Sequence, residues 1–415
     1  MARRSSRFGG EGVVLAALLA LLLAAVTAIG CAPVAAPAVP PKNVIVLIGD
    51  GMGFELVRAA GMFANGRDGT LFMETLPHKA QVVTSMAYTP PVATTAPVAP
   101  AVTDSAAAAS AYATGHKVSK FVLSVAIPGD GKPLPTAMEQ FARQGKMTGL
   151  VTTSYLTDAT PAAFGAHAGN RGMYAKIAAD YFALRINVLL GGNNEKDFDL
   201  AAASAKTGLY ELVTDRAALN AVQPRRDTHV LGIFAKGTMS YEYDYATGVT
   251  KSYDSQPHLS EMAAAALKIV SSEPEGFFLV IESGILDKAC HAGKLERAVY
   301  EALEFDKTVK VAMQWASSRD DTLVIVLADH ETAGLKVTAA NGPGKMPTVT
   351  WGATVHTVAN VPLYAYGPGS RKVQGTLDNT DIYRLIMGTF ESPTKYDPPK
   401  VPAAGQSAPA PRKQD

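Results

Sequence analysis

Acids and imidazoles fall in this sequence at places from which they could share one site. Asp287 and His291 are four residues apart, so on a helical turn both side chains occupy one face and can converge on one ion. Glu282 lies five residues earlier, Asp329 and His330 are adjacent, and His356 sits in Trp351-Gly352-Ala353-Thr354-Val355-His356-Thr357, just before an apolar run. Taken singly, each has an ordinary explanation: an Asp–His hydrogen bond on a solvated helix, or a polar residue in a loop. The chain has only eight histidines, and three of them beside acids suit a polynuclear site of oxygen and nitrogen donors.

Two further motifs carry chemistry. In Gly49-Asp50-Gly51-Met52-Gly53, glycine on both sides of an acid lets the backbone turn tightly round a ligand; a βα turn with a capping aspartate is the plain alternative. No Gly-x-Gly-x-x-Gly spacing is completed, so this is not a dinucleotide fingerprint. Thr103-Asp104-Ser105-Ala106-Ala107 opens an alanine-rich helical stretch that ends near Thr114-Gly115-His116. Ser105 is either a helix cap or a nucleophile whose target phosphate rests on the N–H groups at the positive end of the helix dipole. No Gly-x-Ser-x-Gly elbow surrounds it, so a metal rather than a histidine base would have to activate it. Cys290, beside His291, reads as a buried structural thiol, with a soft metal ligand as the alternative.

For these residues to meet, the segments that carry them must end along one edge. Short β-branched or aliphatic runs alternate with longer helical patterns, which argues for a three-layer α/β/α architecture around a buried, mostly parallel sheet. Strands are expected at Val44–Ile48, Thr148–Thr153, Asn187–Leu190, Phe277–Ile281, Thr322–Ala328 and Val361–Tyr366. Helices are expected at Leu259–Val270 and at Leu295–Ala316, where Ala298, Ala302, Phe305 and Val309 recur at helical spacing. Asp50, Glu282 and Asp329-His330 then each follow a strand directly, at the carboxyl edge where open α/β sheets bind ligands.

Composition sets the frame. With 415 residues, 47% hydrophobic and 18% charged, the chain can bury one large core, and a net charge of +1 gives no field that would attract nucleic acid. Arg3, Arg4 and Arg7 precede an apolar run from Val13 to Ile29 of about 17 residues, the form of a secretory signal, with a retained anchor helix as the alternative. Ala28-Ile29-Gly30-Cys31 is similar to the cleavage box of bacterial lipoproteins, although Ala28 stands where leucine is usual. That similarity implies a lipidated Cys31 and an exported chain held at a bacterial membrane, in the periplasm or at the cell surface. Cys290 would then be unpaired, and bound metal would be the remaining source of cohesion. The expected organisation is a signal over 1–31, a Pro/Ala-rich tether over 32–42, one domain over 43–391 and a Pro/Ala-rich tail over 392–415. Thr89 to Val102 reads as a surface loop between two motifs.

In chain order, the motifs are Val46-Leu47-Ile48-Gly49-Asp50-Gly51-Met52-Gly53, Thr103-Asp104-Ser105-Ala106-Ala107, and Asp158-Ala159-Thr160-Pro161-Ala162-Ala163 with Arg171. Glu282 through Asp287-Lys288 to His291, Ala328-Asp329-His330-Glu331-Thr332, and His356 complete the series. Together they resemble the alkaline phosphatase family, from about Asn43 to Phe390. The likeness is greatest to compact bacterial members, with Asp158 and Lys288 where animal members more often carry histidine.

The resemblance implies an enzyme that hydrolyses phosphate monoesters through a phosphoserine intermediate, with two Zn2+ and one Mg2+ per chain, and it suggests a homodimer. It places Asp287, His291 and His356 around the first zinc, and Asp329, His330 and Asp50 around the second, to which Ser105 binds. Asp50 would bridge to a magnesium shared with Glu282 and Thr160, with Asp158 close to it. Arg171 would grip two phosphate oxygens, Asp104 would lie with it at the substrate, and Lys288 would pair with Asp158 beside the phosphate. On this reading three divalent ions outweigh four carboxylates, and Arg171 adds to a positive surplus that suits a phosphate dianion plus an ionised serine. Thr332 departs from the family, which often has a second histidine there; this puts in doubt one contact that would support the second zinc. A phosphodiesterase or sulfatase of the same superfamily is the alternative enzyme, although Ser105-Ala106-Ala107 matches neither a threonine nor a modified-cysteine nucleophile. A non-catalytic, phosphate-binding lipoprotein is the alternative outside enzymes.

Overall fold

The computed structural model describes residues 40–87 and 101–394. The expected signal, Cys31, most of the tether, nearly all of the loop from Thr89 and the tail from 395 onward lie outside the described residues.

The strands are β1 (Asn43–Gly49), β2 (His78–Val83), β3 (Met147–Tyr155), β4 (Val188–Gly192), β5 (Glu211–Val213), β6 (Val230–Ala235), β7 (Phe277–Ser283) and β8 (Thr322–Leu327). Then follow β9 (Glu331–Thr332), β10 (Leu335–Ala339), β11 (Thr348–Trp351), β12 (His356–Thr357), β13 (Val361–Tyr366) and β14 (Thr376–Asp378). Ten of them make one sheet in the order β14-β2-β13-β8-β1-β7-β3-β4-β6-β5. Every pairing is parallel except those of β13, which runs against β8 and β2. β1, β7 and β8 are buried along their whole length, which is why they read as continuous apolar runs rather than as alternating patterns.

Helices pack on the central strands in two groups. Leu259–Val270 and Ala137–Arg143 both lie against β3 and β7, while Leu295–Ala316 packs on Leu259–Val270 and on Phe54–Asn65. Leu259–Val270 shows the cause: Leu259, Met262, Ala263, Ala266, Leu267 and Val270 recur at helical spacing and are buried. Each large apolar side chain so buried contributes roughly 1.5–3 kcal/mol. The result is the three-layer arrangement.

Register aligns the chemistry. Ile48 of β1 pairs with Glu282 of β7 and with Leu327 of β8, and Thr152 of β3 also pairs with Glu282. Asp50 and Asp329 therefore emerge at one level, two residues beyond the level of Glu282. β7 extends to Ser283, so Glu282 lies inside the strand rather than just after it. The fourth strand covers Val188–Gly192 instead of beginning at Asn187, whose side chain accepts from Thr148 N–H. β9 and β12 form a small antiparallel ribbon that pairs His356 with Thr332 and so folds His356 back over the sheet edge.

Candidate active site

Asp50 closes β1, and the turn behind it needs glycine. Gly51 has φ of 73°, and a Cβ there would stand 2.7 Å from Thr332 Oγ1 and 2.9 Å from Asp287 Oδ1. Its N–H donates to Asp329 Oδ1 at 3.0 Å. Asp50, Asp329 and His330 bring one donor atom each within 4.8 Å of one another, and so do Asp287, His330 and His356. The helix Ile285–His291 brings Asp287 Oδ2 within 3.3 Å of His291 Nε2, the convergence that their spacing predicts.

The two imidazoles at the rim present their donor atoms to each other. His291 Nδ1 lies 2.7 Å from Thr354 O, and His356 Nδ1 lies 3.0 Å from Thr103 O. When each Nδ1–H donates to its carbonyl, both Nε2 atoms are left as acceptors, and they face each other at 3.0 Å. The rings of His330 and His356 stack with centroids 3.5 Å apart.

Ser105 is the first residue of the helix Ser105–Thr114, which Asp104 caps by accepting from Ala107 N–H at 3.1 Å. All ten residues of this helix are buried, and its alanines let it pack between Ala159–Gly165 and Asn379–Ile386. Ser105 Oγ lies 3.2 Å from His330 Nε2, so the hydroxyl sits within the Asp50–Asp329–His330 group.

Arg171 is aimed by two acids: NH1 donates to Asp104 Oδ2 at 3.1 Å and NH2 to Asp158 Oδ1 at 2.7 Å. Asp104 thus has a different task from the substrate contact expected of it. Its carboxylate receives Ala107 N–H, Phe121 N–H and Arg171, and its charge would repel a phosphate. Asp158 accepts from Ala159 N–H, Ser154 Oγ, Arg171 and Lys288 Nζ, the last at 3.2 Å. That arrangement supports its ion pair with Lys288; a direct bond to a metal would have to displace one of those donors.

The charges need something the protein does not itself provide. Burial first, then the charges of Asp329, Asp287 and Glu282, push the Asp50 carboxyl well above the usual carboxylate range. Burial likewise raises Glu282 to about 7, although Thr152 donates to it. Burial and the neighbouring His330 press His356 down to about 4. Asp287 moves the other way: burial opposes its charge, but His291 beside it, with His330 and His356, holds it below the carboxylate range. Asp50 Oδ1, Asp329 Oδ2 and Thr160 Oγ1 are buried without a hydrogen bond, a condition that costs about 1–3 kcal/mol for each polar group and more for a charged one. Divalent cations would satisfy all three oxygens, and a borderline one such as zinc the facing imidazoles, so the residues present fit metals.

A family model for alkaline phosphatase matches residues 41–199 and 189–348. The chain is 31% identical to alkaline phosphatase 4 of Bacillus subtilis, over 83% of this chain and 88% of that one. The chain belongs to the alkaline phosphatase family. It is also 31% identical to the streptomycin-6-phosphate phosphatase of Streptomyces griseus, over 92% of this chain and 97% of that one. The solved alkaline phosphatase of the Antarctic bacterium TAB5 superposes with a TM-score of 0.69 at 27% identity, over 85% of this chain and 98% of that one. As a member of the alkaline phosphatase family the chain is an enzyme, a phosphatase.

Two alkaline phosphatase residues escaped the sequence reading of tasks. Thr332 Oγ1 donates to Asp287 Oδ1 at 2.6 Å and lies 3.2 Å from His330 Nδ1, so a hydroxyl rather than an imidazole joins these two residues. Glu331 accepts from Gly334 N–H, Leu335 N–H and Thr357 Oγ1, fixing the ribbon beside His356, and a Cβ on Gly53 would collide with it. Only the pairing of β9 with β12 shows either task. A third acidic group, Glu242, His258 and Glu304, lies apart from the site. There His258 Nδ1 pairs with Glu242 at 2.8 Å and Glu304 accepts Ser260 N–H at 2.9 Å, which is an ion-pair cluster at a helix start. Cys290 is buried.

Proposed function

We propose that this alkaline phosphatase hydrolyses phosphate monoesters by metal-dependent transfer of the phosphoryl group to Ser105, followed by attack of water on the phosphoserine. The observation that carries the reading is the pair of Nε2 atoms of His291 and His356, facing at 3.0 Å, together with the buried Asp50 Oδ1 and Asp329 Oδ2 beside His330, which have no donor. Asp287, His291 and His356 would hold one zinc, Asp50, Asp329 and His330 a second, and Glu282, Thr160 and Asp50 a magnesium. Bound there, the cations would stabilise the attacking and leaving oxygens and lower the pKa of a hydroxyl.

The chain's own groups do the rest. Arg171, fixed by Asp104 and Asp158, offers a planar fork to two phosphate oxygens. Ser105 Oγ, having lost its proton to solvent, forms the new P–O bond as the ester oxygen departs with its electron pair. Lys288, held by Asp158 and by Ser154 Oγ at 3.2 Å, adds positive charge for the phosphate dianion. Hydrolysis of p-nitrophenyl phosphate should be lost on EDTA treatment and, separately, in Ser105→Ala; a rate untouched by either contradicts the mechanism. Export with a lipid on Cys31 is proposed from the sequence features around Val13 to Cys31, and metabolic labelling that leaves the chain without lipid would contradict it.

A further inference from the structure

We propose that Phe121 selects among substrates: its ring receives the alcohol half of the phosphate monoester and favours aryl over polyol alcohols. The inference rests on the phosphomonoesterase reading above and goes on to name the substrate class.

Phe121 is a bulky residue in the left-handed region, with φ of 70°, a conformation that such residues keep only where the surroundings impose it. Both of its backbone polar groups serve the site. Its N–H donates to Asp104 Oδ1 at 3.1 Å, and its carbonyl accepts Arg171 N–H at 2.8 Å. The loop around it is fixed. Val118 and Val122 are buried against Ala107 of the Ser105 helix, Ser110 Oγ donates to Val122 O, and Leu123 pairs with Ala168 through two backbone hydrogen bonds.

Phe121 is 46% exposed, and Lys120 Nζ lies 5.2 Å from its ring centroid. Four other exposed apolar residues flank site residues in sequence: Val102 precedes Thr103, Met173 follows Arg171 by two, and Val355 and Val358 bracket His356. The interior of the pocket is charged and suits phosphate, so the alcohol must project from its mouth, where these side chains are the apolar groups on offer. An exposed aromatic face on a loop whose backbone is bonded to Asp104 and Arg171 can stack on another ring and gains little from a hydrated polyol.

The test uses the full chain loaded with zinc and magnesium. Asparagine tolerates the left-handed region, so Phe121→Asn keeps the turn and removes the ring. The ratio of kcat/KM for phenyl phosphate to that for glycerol phosphate is expected to fall about tenfold in Phe121→Asn and to return in Phe121→Tyr. An unchanged ratio, or an equal loss on both substrates, overturns the proposal. Should the variant fail to fold, calorimetry on the unaltered protein decides: phenylphosphonate should bind about tenfold more tightly than methylphosphonate, and equal Kd values overturn the proposal. Absence of hydrolysis of either ester by the unaltered protein would instead contradict the phosphatase reading, while phosphonate binding would still report on the ring.

Discussion

The Thr332 hydroxyl touches two members of the site at once, Asp287 and His330, and that makes it a sensitive point. Thr332→Val keeps the shape and removes both contacts, so metal affinity measured by chelator competition should fall about 10–100-fold, with recovery in Thr332→Ser. Gly51→Ala should be worse, because its methyl group would enter the space between Thr332 and Asp287 at a positive φ. Residue types and spacing announced the acids and imidazoles; the tasks of Thr332, Glu331 and Asp104 were hidden because they depend on which segment folds beside which. Away from the site, His258 titrates above its ordinary value: burial opposes its charge, but the hydrogen bond to Glu242 and the charges of Glu242, Glu304 and Glu261 outweigh burial. A raised imidazole contributes stability that is complete below the unfolded pKa of about 6.5 and is lost as pH rises through the folded value. The Tm of the protein should therefore decline above about pH 6.5, and Glu242→Gln should flatten that decline; an unaltered slope contradicts the assignment.

At the scale of elements, position comes from strands that end level and from one helix held against them. Tyr112, in the Ser105 helix, donates from its hydroxyl to Ala328 O at 2.7 Å, tying the nucleophile's helix to the end of the strand that delivers Asp329. Tyr112→Phe should lower stability by about 1 kcal/mol, and activity should fall more than that loss of folded protein explains if the tie also sets the distance from Ser105 to His330. Six strands with apolar runs and the two long amphipathic helices were legible, since burial on both faces or on one stripe leaves a periodic mark; β6, whose run Gly232 interrupts, was not. β2, with polar His78, Lys79 and Gln81, was not legible, nor were the short β5 and β14. The two-residue β9 and β12 are too brief for any period, yet they carry His356 to its place.

At the scale of the whole molecule, the sheet gathers Asp50, Glu282, Asp287 and Asp329 into one buried region that is short of positive charge. Binding of cations there is folding free energy as well as catalysis. Zinc at roughly 1,000 times its Kd would add about 4 kcal/mol of stability, so EDTA should lower the Tm of the chain, and a Tm indifferent to chelator would count against a built metal centre. The architecture and the convergence at a carboxyl edge were legible because parallel sheets place their ligands there, whereas the closeness of the two donor groups that share His330 required the register. Acid-quenching the enzyme during turnover and mapping phosphate by mass spectrometry tests the central claim most directly. The account predicts phosphate on the Ser105 peptide, none after EDTA and none in Ser105→Ala; an adduct on another residue, or turnover surviving in Ser105→Ala, would contradict it.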